Sequence, residues 1–265
     1  MGVAVRDLEG RCALVTGAGS GIGRASALLL AARGARVGVL ARSARDIHAV
    51  VAEIEAAEGE ALPLVADVSD EAAMREAVER FMARFGRLDI VVANAGINGV
   101  WAPIDDLKPD EWDRTIAVNL RGTYLTLHLA IPHLKAAGGG SVVVVSSING
   151  TRTFSTAGAT AYAASKAAQL AMVQQLALEL GRHRIRVNAV CPGLIATDIA
   201  DSTIKRNQDL ARVPVTWPEG DIPITGGKPG RAEDVAATIA FLASDAAAHI
   251  TGSPVFIDGG QGLLR

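Results

Sequence analysis

The sequence predicts a doubly wound α/β fold, one parallel sheet of about seven strands with helices on both faces. Short runs rich in Val, Ile and Leu alternate along the chain with amphipathic stretches of helical length, the pattern of buried parallel strands joined by helical crossovers. Near the N-terminus one such run passes straight into a glycine-rich turn and then an apolar helix. A length of 265 residues with 49% hydrophobic content suits one large domain spanning residues 1–265 rather than two small ones.

In order, Arg11–Thr16 reads as the first buried strand, Gly17–Gly23 as the turn and Arg24–Arg33 as the first helix. Strands follow at Arg36–Leu40, Ala61–Ala66, Leu88–Ala93, Ser141–Val145 extended through Ser146, Arg186–Val190 and Val255–Ile257. Between them, helical periodicity covers Ser43–Ala57, Asp70–Phe85, Pro109–Ala137, Tyr162–Gly181 and Ala232–Ser244, which implies βαβ units. The long irregular stretch is about 194–230, the candidate substrate lid, in which Trp217 is a pocket candidate. Trp101 and Trp112 read more simply as loop anchors.

Charge and cysteine content narrow the function classes. A formal net charge of −2, a pI near 6.2 and interspersed acids and bases give no footprint for nucleic acid. No apolar run reaches the ~20 residues that span a bilayer, and the first residues lack a signal-peptide core, so a soluble cytoplasmic protein is expected. Cys12 and Cys191 are too few for a disulfide framework, and packing is their simplest role. The five histidines never cluster, so no metal site is expected.

Two motifs carry chemistry. Tyr162 and Lys166 stand four apart in a helical run, which places a phenol and an ammonium on one face. A free tyrosine ionises near ~10, and a nearby cation is expected to lower that value and make the pair a proton donor. In the glycine turn, Gly17, Gly21 and Gly23 are spaced G-x-x-x-G-x-G, a cradle whose backbone and following helix N-terminus would hold a pyrophosphate. Ser20 and Ile22 belong to the same candidate contact set.

Thr16-Gly17-x-x-x-Gly21-x-Gly23, Asn94-Ala95-Gly96, Asn119, Ser147, Tyr162-x-x-x-Lys166 and Pro192-Gly193 occur in an order that resembles the short-chain dehydrogenase/reductase superfamily, in its 3-oxoacyl-carrier-protein-reductase-like branch. The resemblance covers nearly the whole chain and implies a Rossmann-like fold. It also implies hydride transfer between a nicotinamide cofactor and a carbonyl or secondary alcohol, with a catalytic set of Asn119, Ser147, Tyr162 and Lys166. Tyr162 would be the general acid/base, Ser147 would hold the substrate oxygen, and Lys166 would bridge the nicotinamide ribose and lower the tyrosine pKa. Asn119 would kink its helix and position a water on the path from Lys166 to solvent. Ser146 is the rival of Ser147, which is preferred because Gly150 follows it by three. Fifteen residues separate Ser147 from Tyr162, slightly more than is usual in the family, which implies a small insertion in the 151–160 loop.

For the rest of the cofactor, Asn94 and Gly96 would let adenosine lie against the sheet edge, and Pro192, Gly193 and Ile195 resemble the segment that meets the carboxamide. Thr197 would fix the ring face presented. Asp67 and Val68 resemble the pair that addresses adenine, with an acidic helix cap as the other reading of Asp67. Ala41 stands where an acid would bind the ribose of NAD, and Arg42 follows it, so NADP(H) is expected over NAD(H). The alternative is that Arg42 is a solvated loop cation. Relatives are commonly homotetramers, which makes a homotetramer or homodimer the expected assembly. The competing function is a non-catalytic dinucleotide-binding protein on the same scaffold.

Overall fold

Side-chain alternation along nearly fully buried strands sets the layers of the molecule. In a computed structural model, described for residues 6–151, 156–212 and 222–263, the strands are β1 (Cys12–Thr16), β2 (Arg36–Ala41), β3 (Ala61–Val65), β4 (Ile90–Ala93), β5 (Gly99–Trp101), β6 (Gly140–Val145), β7 (Ile185–Pro192), β8 (Thr203–Lys205) and β9 (Pro254–Ile257). Seven of them form one parallel sheet in the order β3-β2-β1-β4-β6-β7-β9, and β5 and β8 make a separate parallel pair. The helices are α1 (Gly21–Ala32), α2 (Ala44–Ala56), α3 (Glu71–Phe85), α4 (Pro109–Ile116), α5 (Gly122–Ala136), α6 (Thr160–Gly181) and α7 (Ala232–Ala243).

Cys12 and Leu14 of β1, with Val142 and Val144 of β6, face the core covered by α3, α5 and α6. Ala13, Val15, Val143 and Val145 face the core under α1, α2 and α7. Helices therefore cover both faces, which is why the strands read as continuous apolar runs. Gly38 marks the tightest contact between layers: a Cβ there would lie 2.5 Å from the Phe81 ring of α3.

The doubly wound sheet agrees with the sequence reading, and two expectations are corrected. The helix expected over Pro109–Ala137 is interrupted, because Ala117–Arg121 forms a π-helical turn between α4 and α5. The stretch expected to be irregular contains β8, which pairs in register with β5 (Val100 opposite Ile204). A three-residue strand has no period to read, and only its distant partner defines it. Ile195 also bridges to Gly230, tying together the two ends of this stretch. Trp217 and most of 151–155 lie outside the described residues.

Strand order reverses beside β1, because β2 leads one way and β4 the other. A crevice must open there at the carboxyl ends of the strands.

Candidate active site

The crevice is built from βα turns whose sequences differ in one respect. Ser43 accepts the amide of Asp46 to cap α2, and Asp70 accepts the amides of Ala72 and Ala73 to cap α3. The side chain of Ser20, at the same position before α1, caps nothing, and the first turn of α1 contains no acid. Amide donors at the N-terminus of α1 are thus left for a ligand, at the positive end of the helix dipole.

The glycines shape this end. A Cβ on Gly23 would lie 2.1 Å from the Gly17 carbonyl oxygen, so the turn closes only around hydrogen there. Asn94 staples it by donating Nδ2 to the carbonyls of Thr16 (3.0 Å) and Gly17 (3.2 Å). Asn94, expected to border adenosine, is thereby the brace of the glycine turn, and it also lines the crevice.

From this turn a cleft of about 550 Å³ runs past Ala41, Arg42, Asp67 and Val68 to Asn94, Gly96 and Thr197. Asp67 is not the helix cap, because Asp70 does that work; Asp67 instead accepts the Ser69 amide (2.9 Å) and hydroxyl (2.6 Å). Burial raises the Asp67 carboxyl, but the Ser69 bonds and Arg42 outweigh it and hold the group below its ordinary value. The Arg42 side chain is 59% exposed, with Nη1 3.9 Å from Asp67 Oδ2. The volume of the cleft, its uncapped helix end and this polar far wall fit a dinucleotide.

A narrower pocket of about 190 Å³ continues from the cleft, sharing Ile22, Asn94, Gly96 and Thr197 with it. Ser147, Tyr162, Lys166, Pro192, Gly193 and Ile195 line this pocket. The fold therefore brings together every cofactor and catalytic candidate except Asn119 and Gly23 as wall residues of one continuous groove, and Gly23 lies within the turn that closes its end. Ser146, the rival serine, also lines the pocket, and its hydroxyl donates to the Lys166 carbonyl (2.9 Å). Ser147 Oγ accepts the Asn149 amide (3.1 Å), is within hydrogen-bonding reach of Tyr162 and lines the pocket. Gly150 permits the next approach: a Cβ there would lie 2.7 Å from the Lys166 carbonyl carbon.

Tyr162 and Lys166 are buried on α6, with Lys166 Nζ 5.6 Å from the tyrosine ring centroid. One electrostatic expectation is corrected here. Burial pushes the Tyr162 phenol up, with Ser147 pulling the other way, and burial lowers Lys166 to about 8. Both groups lose solvent together, and that loss dominates the shift of each within the protein alone. Lys166 Nζ donates to the Val145 carbonyl (2.9 Å), which fixes the ammonium at the sheet edge. Burial also pushes the Cys191 thiol up to about 11, despite Lys166, and this free cysteine is a packed core residue.

Asn119 lies in the π-helical turn and is fully buried. It accepts the Ile97 amide at 2.8 Å and donates to the Ile97 carbonyl at 2.9 Å and to Ser165 Oγ at 3.0 Å. A Cβ on Gly96 would stand 3.3 Å from Asn119 Oδ1 and 3.6 Å from Lys166 Nζ, so the two groups face each other across that glycine.

Several wall residues carry no sequence signal of their own. Asn98, Asn149 and Gln261 line the narrow pocket, and Gln261 Oε1 accepts the Leu194 amide at 2.8 Å. Trp101, read as an anchor, lines the pocket too, with its indole donating to the Asn98 carbonyl (3.2 Å). Arg206, one of the cations of the expected lid, is committed elsewhere. It pairs with Glu111 at 2.7 Å and Asp106 at 3.1 Å, and its guanidinium brings Glu111 down to about 2.

Comparison with known proteins agrees with this geometry. Residues 17–261 match the family model described as enoyl-(acyl carrier protein) reductase. A 3-ketoacyl-ACP reductase structure from Sinorhizobium meliloti 1021 is 67% identical with a TM-score of 0.93, over 96% of this chain and 100% of that one. The 3-oxoacyl-[acyl-carrier-protein] reductase FabG of Thermotoga maritima is 38% identical over 96% of this chain and 98% of its own. A Brucella melitensis 3-ketoacyl-(acyl-carrier-protein) reductase complexed with NADH is 34% identical with a TM-score of 0.83, over 96% and 99% of the two chains. The chain belongs to the short-chain dehydrogenase/reductase superfamily. Within it the chain is a FabG-like member, an oxidoreductase that transfers hydride between a nicotinamide cofactor and a carbonyl or alcohol.

Proposed function

We propose that the protein reduces a 3-oxoacyl thioester to the 3-hydroxyacyl product with NADP(H), which it prefers over NAD(H). One observation carries the reading: the Tyr162 and Ser147 hydroxyls and the Lys166 ammonium converge on a narrow pocket that opens directly into a dinucleotide-sized cleft. The nicotinamide, when bound, supplies the hydride to the carbonyl carbon. Tyr162 donates its phenolic proton to the carbonyl oxygen, which the Ser147 hydroxyl holds, and the Lys166 charge stabilises the developing alkoxide and phenolate. Deep burial keeps water from competing for that oxygen. The substrate class rests on the 67% identical 3-ketoacyl-ACP reductase. The cofactor preference rests on Ala41 in place of an acid and on the exposed Arg42 guanidinium at the far wall.

The chain acts as a single cytoplasmic domain with the 194–230 stretch as its substrate lid, of which 213–221 lie outside the described residues. Among the described residues no helix is long and apolar enough to cross a membrane. Exposed apolar side chains on the outer helices, Tyr124 and Leu178, support assembly as a homotetramer or homodimer.

Consumption of NADPH with acetoacetyl-CoA tests the reading. Wild-type protein is expected to turn over, Tyr162→Phe to lose about 10³-fold in kcat, and Arg42→Ala to weaken NADPH about tenfold without affecting NADH. Full activity of Tyr162→Phe would remove the tyrosine from the chemistry. Equal use of NADH and NADPH by the wild type would remove the cofactor preference.

A further inference from the structure

We infer that Gln169 is a positioning residue for the catalytic set, acting on Asn119 through that residue's backbone carbonyl; the inference rests on the catalytic roles proposed above. Gln169 is on α6, three residues after Lys166 and seven after Tyr162, so all three occupy one face of the helix. It is a polar side chain only 1% exposed, in a helix whose other inward positions are filled by residues such as Val173, Ala177 and Leu180. Burying an amide carries a desolvation cost that only good hydrogen bonds offset. Here Nε2 has two acceptors, the Asn119 carbonyl at 2.9 Å and Thr123 Oγ1 at 2.8 Å. Oε1 is the one buried side-chain oxygen or nitrogen without a hydrogen-bond partner among the described residues. The position thus accepts an unsatisfied acceptor in order to place a donor against Asn119.

That carbonyl lies in an irregular turn and receives two side-chain donors. The π-helical turn from Ala117 to Arg121 shifts the helix ladder by one residue, as the bond from Gly122 N to Ala117 O shows, and Asn119 lies within that shifted turn. Thr123 Oγ1 donates to the Asn119 carbonyl from one side at 2.7 Å, and Gln169 donates from the facing helix. Ser165, one residue before Lys166, accepts the Asn119 side chain. Two α6 side chains therefore grip Asn119, one by its amide and one by its backbone. Its register follows the helix that holds Tyr162 and Lys166. The consequence passes to Ile97 and Gly96, since Asn119 holds both backbone groups of Ile97 and Gly96 separates Asn119 from Lys166 Nζ.

Gln169→Met keeps the volume and removes the donor. It is expected to lower kcat about tenfold, leave KM for NADPH within about twofold, and move the pH profile of kcat, because the surroundings of Lys166 shift with Asn119. A purely structural glutamine would lower the melting temperature and leave kcat and its pH profile unchanged below it; that result overturns the inference. Should Gln169→Met fail to fold, Thr123→Val against Thr123→Ser decides. Serine retains the second donor to the same carbonyl and should keep wild-type kcat, whereas valine should lose about threefold; equal kcat for the two overturns the inference. Wild-type turnover with acetoacetyl-CoA is measured alongside. An inactive wild type refutes the proposed function, while an active wild type with unaltered variants refutes only the role of Gln169.

Discussion

The two ends of the central sheet each carry a cleft of similar size, about 550 Å³ at the carboxyl ends of the strands and about 500 Å³ at the amino ends, yet their polar groups are used in opposite ways. At the amino ends the charges satisfy one another. Asp89, buried beneath the cleft, accepts Arg87 through both oxygens (2.9 and 2.6 Å) and the Cys12 amide at 2.9 Å, while Arg186 donates to the carbonyls of Leu242 (2.6 Å) and Ser244 (3.0 Å) where α7 ends. At the carboxyl ends, α1 is uncapped, Ser147 and Tyr162 line the groove, and the Lys166 ammonium is buried with no acid beside it among the described residues. Volume does not distinguish a functional cleft from a structural one. Hydrogen-bonding and charge capacity left uncommitted within the protein does.

This contrast can be broken at three places. The largest effect is expected at the amino end, where Asp89→Ala strands Arg87 and the Cys12 amide; urea titration should show a loss of about 3 kcal/mol with kcat unchanged. A fall in kcat would mean that the two ends are coupled.

At the carboxyl end the sign should reverse, since Lys166 loses free energy by being charged in the fold. Its value of about 8 lies below the 10.5 of an exposed lysine, so between those pH values the unfolded chain binds the proton and the folded chain does not. Stability contributed by this group therefore rises with pH from about 8 to 10.5, by up to ~3 kcal/mol. Lys166→Met should be inactive and flatten that rise; a wild-type curve parallel to the variant's would contradict it. The smallest effect concerns the caps. Asp70→Ala should cost about 1 kcal/mol and Ser20→Ala nearly nothing, because only Asp70 satisfies helix amides in the protein alone. Equal losses would show that Ser20 does cap α1.

The sequence made the sheet legible because its central strands are buried on both faces, so their apolar runs are unbroken. Tyr162 and Lys166 were legible for a similar reason, since helical periodicity alone places them together. β8 was hidden, because three residues carry no periodicity, and the break in the helix at Asn119 was legible only through the family resemblance, which implied a kink there, because Ala-Val-Asn-Leu-Arg by itself has nothing that distinguishes it from ordinary helix. Asn98, Asn149 and Gln261 come from three separate loops, and each is an ordinary polar residue until the fold brings them to one wall.

What the residues alone determined is everything set by local spacing: the alternating elements, the glycine turn that no Cβ can enter, and the phenol and ammonium four residues apart. What the tertiary structure decided is how those groups behave. Lys166 is lowered to about 8 because helices and strands distant in sequence exclude water from it, and the Ser146 hydroxyl is bonded to a carbonyl of α6. Solvent exclusion and long-range hydrogen bonding depend on which surfaces meet, and no local pattern encodes that meeting.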